Sequence, residues 1–126
     1  MVELLSQTEN LLKVVATAAR VCYSGLPLEE LLSRYGEEED RELVKRVVSM
    51  GHLSVVEHGV LTFKVGKEFK EELFELLCDK PFFKVSERED SFILSVNLRT
   101  LLELREEKPH LKLVRELSKF IPDFLG

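Results

Sequence analysis

Two short polar segments hold most of the residues able to do chemistry. Gly51-His52-Leu53-Ser54-Val55-Val56-Glu57-His58 gathers two imidazoles, a carboxylate and a hydroxyl, and Asn97-Leu98-Arg99-Thr100 places an amide two residues before a guanidinium. Both lie at boundaries between regular elements, where loops held by a rigid scaffold tend to carry sites. A metal reading of the first segment needs a third ligand from elsewhere, and His110 is the one remaining histidine. Tetrahedral sites draw on a richer His/Cys set, so no metal centre is expected. The purely structural reading has Ser54 capping a short turn, Glu57 completing a capping box at the third position, and His58 packing at the entry to a strand. In the second segment Asn97 caps a helix and Arg99 falls in its first turn. Free N–H groups and the positive end of the helix dipole attract anions there, and the guanidinium fork suits a phosphate or carboxylate. The structural alternative pairs Arg99 with Glu103 one turn on.

The elements that must position these residues follow from apolar periodicity and stop signals. Met1 to Ser6 alternates as a first strand. Leu11, Leu12, Val15, Ala18, Ala19 and Cys22 recur at helical spacing, with Thr8 as the expected N-cap and Gly25 as the stop. Pro27 to Tyr35 and Asp40 to Met50 read as two further helices, the second stopped by Gly51 with Leu43, Val47 and Val48 inward. Val60 to Val65 alternates as a half-buried strand with Leu61, Phe63 and Val65 on one face. Lys67 to Asp79 is amphipathic through Phe69, Leu73, Leu76 and Leu77, and Pro81 ends it. Phe82 to Val85 and Ser91 to Val96 form a hairpin around Ser86 to Asp90. A helix then runs from the Asn97 cap through Leu104, and Pro109 opens the last one. The expected class is α+β, a mixed or antiparallel sheet packed with several helices, in a single domain over residues 1–126.

Composition fits that picture: 126 residues, 44% hydrophobic and 33% charged, suffice for one real core under a soluble surface. A net charge of −5 and pI near 5.3 argue against a protein that grips nucleic acid over its surface, while leaving a local basic pocket open. The acid run Gly36-Glu37-Glu38-Glu39-Asp40 reads as a solvated loop entering a helix. Cys22 and Cys78 fit no disulfide or CxxC pattern, and each is expected to be a small buried hydrophobe. No apolar run is long enough to span a bilayer and no basic n-region opens the chain, so no membrane association is expected and the cytoplasm is the expected location. Phe82, Phe83 and the small-residue face of the first helix, Ala16, Ala18 and Ala19, predict a homo-oligomer that covers them.

Taken together, the motifs resemble the flavin-dependent thymidylate synthases. The resemblance rests on Ala18-Ala19-Arg20-Val21-Cys22-Tyr23, on Gly51-His52-x-Ser54-Val55-x-Glu57-His58 followed by Thr62-Phe63, on Val96-Asn97-x-Arg99-Thr100-Leu101 and, loosely, on Leu104-Arg105. It implies an α+β fold assembled as a homotetramer with active sites between subunits. There FAD, NADPH and methylenetetrahydrofolate would serve the methylation of dUMP to dTMP. By resemblance His52, Ser54, Glu57 and His58 belong to a flavin-binding signature, and Asn97 and Arg99 to the deoxyuridylate site. No catalytic residue is assigned.

The chain departs from the family after the Val60 strand. There the family carries a helix with Arg-His-Arg and a loop ending Ser-x-Arg, whereas this sequence reads Leu73-Phe74-Glu75-Leu76-Leu77-Cys78-Asp79. A phosphate loses cationic partners worth on the order of 1.5–3 kcal/mol for each charge-assisted hydrogen bond. An enzyme built on this chain would draw instead on Arg20, Arg88, Arg99 and a partner subunit. A divergent enzyme and a non-catalytic binding or assembly module are therefore both carried forward.

Overall fold

The computed structural model describes residues 1–80 and 82–126; Pro81, the expected helix terminator, lies outside them. Four strands form one antiparallel sheet in the order β1-β2-β4-β3, with β1 Val2–Gln7, β2 Val60–Gly66, β3 Lys84–Glu87 and β4 Ser91–Asn97. Among the described residues six helices accompany them: α1 Leu11–Val21, α2 Leu28–Arg34, α3 Glu37–Ser49, α4 Lys70–Asp79, α5 Leu98–Glu107 and α6 Lys112–Ser118. Every strand pair is antiparallel, which narrows the sheet expected from the sequence.

Alternation decides which face of the sheet is buried. Leu61, Phe63 and Val65 of β2 and Phe92, Leu94 and Val96 of β4 are fully or almost fully buried against the helices. Thr62 and Ser95 face the other way and share a 2.8 Å hydrogen bond across the register pair Thr62↔Ser95. Phe63 meets Phe120 edge to face with ring centroids 5.4 Å apart, which ties the chain after α6 to the centre of the sheet. The helix α1 lies against α3, and its Ala16 and Ala19 are buried in the core. Their lack of bulk serves packing within the chain.

Several boundaries differ from the sequence reading for definable reasons. Thr8 does not cap α1. Its N–H donates to the Val60 carbonyl at 3.0 Å and its Oγ1 accepts from the Val60 N–H at 2.9 Å, so it continues the β1–β2 ladder. Asn10, with φ 50°, stands at the cap position, and α1 stops at Val21, short of Gly25. The acid run is a helix rather than a loop: α3 begins at Glu37, and the Glu39 carboxylate reaches back to the Gly36 N–H at 3.0 Å. Its inward residues are Asp40, Val44 and Val47, with Leu43 and Val48 partly buried. The last helix begins at Lys112, after Pro109 and His110, whose carbonyls accept from Arg115. Both cysteines are exposed, Cys22 just past the end of α1 and Cys78 on the outer side of α4, so neither is the core residue its type implied. Phe83 is buried within the chain while Phe82 is 65% exposed.

Candidate functional site

The β2–β4 ladder brings the two polar segments together. Val60↔Asn97 is its last pair, so the residues before β2 and those after β4 emerge side by side. The Leu98 N–H donates to the Gly59 carbonyl at 2.8 Å, and the Asn97 Oδ1 accepts from the Thr100 N–H at 2.9 Å. Asn97 is thus the N-cap of α5, as its type and position predict. Both bonds also engage first-turn amides that would otherwise be open to an anion. Arg99, between Leu98 and Thr100, keeps its side chain partly exposed.

The guanidinium of Arg99 is not idle. Its Nη1 donates to Glu57 Oε2 at 2.7 Å, and its Nε lies 3.7 Å from Glu103 Oε2. The hydrogen bond it donates to Glu57, joined by the negative charge of Glu103, raises the Arg99 pKa above its already high value, so the group is cationic throughout the physiological range. Glu57 therefore does not complete a capping box. Ser54 is the first residue of the 3-10 turn Ser54–His58, no side chain caps that turn, and the Glu57 carboxylate turns to Arg99 instead.

Arg99 stands in the wall between two clefts. One, of about 340 Å³, is lined by Glu57, Lys80, Phe82, Asn97, Thr100 and Glu103 with Arg99. Lys80 reaches Glu103 at 3.4 Å and Glu107 at 3.3 Å. Burial works against its charge, but the Glu107 hydrogen bond and the Glu103 carboxylate outweigh it and raise the pKa. The other cleft, of about 280 Å³, is lined by Cys22, Tyr23, Gly51, His52, Ser54 and Arg99 among others. Here α3 ends on Gly51 in the left-handed region, φ 81°, with the Gly51 N–H on the Val48 carbonyl at 3.0 Å and the His52 N–H on the Val47 carbonyl at 2.9 Å. That paired closure is the Schellman motif, and it fixes where His52 leaves the helix. The imidazole Nδ1 then shares a 3.1 Å hydrogen bond with the Tyr23 hydroxyl from the end of α1.

Of the residues singled out in the sequence, His52 and Ser54 share a cleft with Arg99, while Glu57 and Asn97 share the neighbouring one with it. His58 lines neither of them. It lines an apolar groove with Val14, Ala18, Val21, Leu28 and Leu32, which adjoins the His52 cleft through the shared residues Cys22 and Ser54. Arg20 is not available to a ligand: its Nη1 is 2.6 Å from Asp40 Oδ1 and its guanidinium stacks on the Tyr35 ring at 3.6 Å. Arg88 lies just before β4, whose first residue pairs with Gly66, at the opposite end of the strand from Asn97. Tyr23, Lys80 and Phe82 were not singled out as site residues. Tyr23 ends the first matching block and could have been found there, whereas nothing local marks Lys80. Among the described residues no group of three or more His, Cys, Asp or Glu is placed to hold a metal ion, and no helix is long and apolar enough to cross a membrane.

An antiparallel α+β domain with an arginine in the first turn of an Asn-capped helix beside a histidine cleft belongs to a recognisable class, and comparisons with known proteins identify it. Residues 3–68, just over half of the chain, match the family model of the thymidylate synthase complementing protein. The chain belongs to that family. It is 42% identical over 62 residues to a flavin-dependent thymidylate synthase from Clostridium tetani and 33% identical over 64 residues to one from Geobacter sulfurreducens. Those matches cover 49% and 51% of this chain but 25% and 28% of the relatives, so the matched stretch spans about a quarter of their length. Among solved structures, a flavin-dependent thymidylate synthase from Helicobacter pylori with FAD and dUMP aligns with a TM-score of 0.60 at 16% identity, covering 98% of this chain and 94% of that one. A UMP/dUMP methylase from Streptomyces cacaoi bound with 5-Br dUMP aligns at 0.54 and 24% identity, covering 71% and 36%. At these identities the likeness is one of fold.

Proposed function

We propose that this chain is a divergent flavin-dependent thymidylate synthase domain that binds a pyrimidine nucleotide of the dUMP type at Arg99 and does not turn it over alone. The observation that carries the reading is the placement of Arg99 at the capped start of α5, in the wall between the His52 cleft and the Asn97 cleft. Solved relatives in fold hold FAD and dUMP, which supports FAD as the cofactor, with Glu57 bonded to Arg99, His52 and Ser54 in a cleft that Arg99 also lines, and His58 in the adjoining groove. The missing basic helix argues against independent turnover. The test is a calorimetric titration of dUMP into wild type, Arg99→Lys and Arg99→Ala, with melting curves as the folding control. Lysine keeps the charge but loses the planar fork, so affinity should fall about tenfold in the first variant and further in the second. Tritium release from labelled dUMP, with FAD, NADPH and methylenetetrahydrofolate present, should stay at the no-protein rate. Equal affinity in all three proteins would move the site away from Arg99.

A non-catalytic module is the second reading, favoured by α4, which by resemblance corresponds to the family's basic helix. Its Asp79 and Glu75 carboxylates lie 2.8 Å and 3.4 Å from Lys108 Nζ at the end of α5. These bonds hold the Lys108 pKa above its usual value, and they give α4 a structural use for its acidic residues. Under either reading the chain is a homo-oligomer, tetrameric by family resemblance. Phe82, 65% exposed beside the Asn97 cleft, and Val21 and Leu28, both 53% exposed, are the surfaces such an assembly would cover. Light scattering at micromolar concentration should give a multiple of the 14.6 kDa chain; a strict monomer would refute the assembly.

A further inference from the structure

The charged residues lining the Asn97 cleft are Lys80 and Arg99 against Glu57 and Glu103, so its formal charges already balance before any ligand arrives. Each cation has a carboxylate at hand: Glu57 is 2.7 Å from Arg99, and Glu103 is 3.7 Å from Arg99 and 3.4 Å from Lys80. The two carboxylates are held differently. Glu103 sits one turn from Arg99 on the same helix and is shared with Lys80. Glu57 comes from the 3-10 turn, and among the described residues Arg99 is its one ion-pair partner. Its side chain is 45% exposed, while the turn beneath is fixed by the Val56 N–H on the Leu53 carbonyl and the Gly59 N–H on the Val56 carbonyl, both at 3.0 Å. A half-exposed ion pair of this kind is weak and can open by side-chain rotation alone.

We propose that Glu57 is a specificity-determining residue: its carboxylate is the resident counter-ion of Arg99, which a dianionic phosphate has to displace and a neutral or singly charged group does not. A dianion brought against Arg99 while Glu57 remains would face a like charge within a few ångströms, whereas a neutral group with a hydrogen-bond acceptor could use the free N–H groups of the fork beside it. Glu57 thereby sets which ligands Arg99 accepts. This inference rests on the reading of Arg99 as the nucleotide-binding residue.

The experiment titrates dUMP, inorganic phosphate and the neutral nucleoside deoxyuridine into wild type, Glu57→Gln, Arg99→Ala and the double variant, with melting curves for folding. Glutamine keeps the size and the accepting oxygen but removes the charge. Glu57→Gln should bind dUMP and phosphate about tenfold more tightly, change its affinity for deoxyuridine less than about twofold, and lose the gain when Arg99→Ala is added. Unchanged or weaker binding of dUMP and phosphate by Glu57→Gln would overturn the proposal, as would a gain that persists without Arg99. The two failures separate cleanly. If Arg99→Ala binds dUMP as wild type does, the nucleotide-site reading falls; if Arg99→Ala weakens binding but Glu57→Gln does not strengthen it, the role of Glu57 alone falls. Absence of binding in both wild type and Glu57→Gln would sink the two together.

Discussion

Asp40→Ala is expected to destabilise the domain by about 3–5 kcal/mol, the usual cost of breaking a buried ion pair by removing one partner. Asp40 is 1% exposed, and its two carboxylate oxygens face Lys13 Nζ and Arg20 Nη1, each at 2.6 Å. Lys13 also donates to the Tyr35 carbonyl at 2.7 Å, and Arg20 stacks on the Tyr35 ring, so one carboxylate joins α1, α3 and the segment between α2 and α3. Removing it strands an arginine side chain that is only 9% exposed. Asp40→Asn should cost less, because the amide oxygen can still accept one bond. Glu38→Ala, two residues earlier on the exposed side of the same helix, should change stability by less than about 0.5 kcal/mol. Urea denaturation of the three variants decides the matter. A loss below about 1 kcal/mol for Asp40→Ala would mean that the triad is solvated in solution. Against a total stability on the order of 5–15 kcal/mol, the expected loss is large.

The same residue marks where sequence reading stops. In the run Glu37-Glu38-Glu39-Asp40 four acids look alike, and residue type does not distinguish the one that turns inward. What selects Asp40 is its alignment, within α3, with Val44 and Val47 on the face that meets α1. The strands were more legible, since alternation in Val60 to Val65 and Ser91 to Val96 names the buried face directly. Helix starts were less so. Thr8 has the chemistry of an N-cap, but the β1–β2 ladder claims its hydroxyl first, a long-range pairing that no window around Thr8 contains.

The candidate site was legible in parts for the same reason. Asn97 acts locally, on an amide three residues away, and its role follows from its type. Arg99 acts at a distance: Glu103 is a local partner visible at i+4, but Glu57 is brought to it only by the Val60↔Asn97 register. Arg20 and Arg88 could not be ranked against Arg99 as anion donors until the fold placed one on Asp40 and the other at the opposite end of β4 from Asn97. Sequence identified the residue types, and topology decided which of them share a cleft.

Gly59→Ala is expected to cost about 1–3 kcal/mol, the usual range for overpacking a filled core, and to disturb the candidate site along with the fold. Gly59 has φ −87°, an ordinary backbone conformation, so the glycine is not required by its dihedrals. It is required by space. A Cβ there would lie 2.6 Å from Leu11 Cδ1 and 2.6 Å from Leu98 Cδ1, and those side chains are 7% and 0% exposed. Neither can swing into solvent, so α1, α5 or the 3-10 turn has to shift. The shift reaches Arg99 because the Gly59 carbonyl holds the Leu98 N–H at 2.8 Å, and Arg99 is the next residue. A few tenths of an ångström there separate the guanidinium from Glu57 on one side and alter the His52 cleft on the other. Gly59→Ala should therefore lower the melting temperature and weaken dUMP binding together. Leu98→Ala opens a cavity on its own at about 2–5 kcal/mol, but combined with Gly59→Ala it should cost less than the sum, because the new methyl enters the space the leucine left. Strict additivity in that cycle would show that the contact is relieved elsewhere. Wild-type stability in the Gly59→Ala protein would show that α5 is not seated on the 3-10 turn as closely as these distances require.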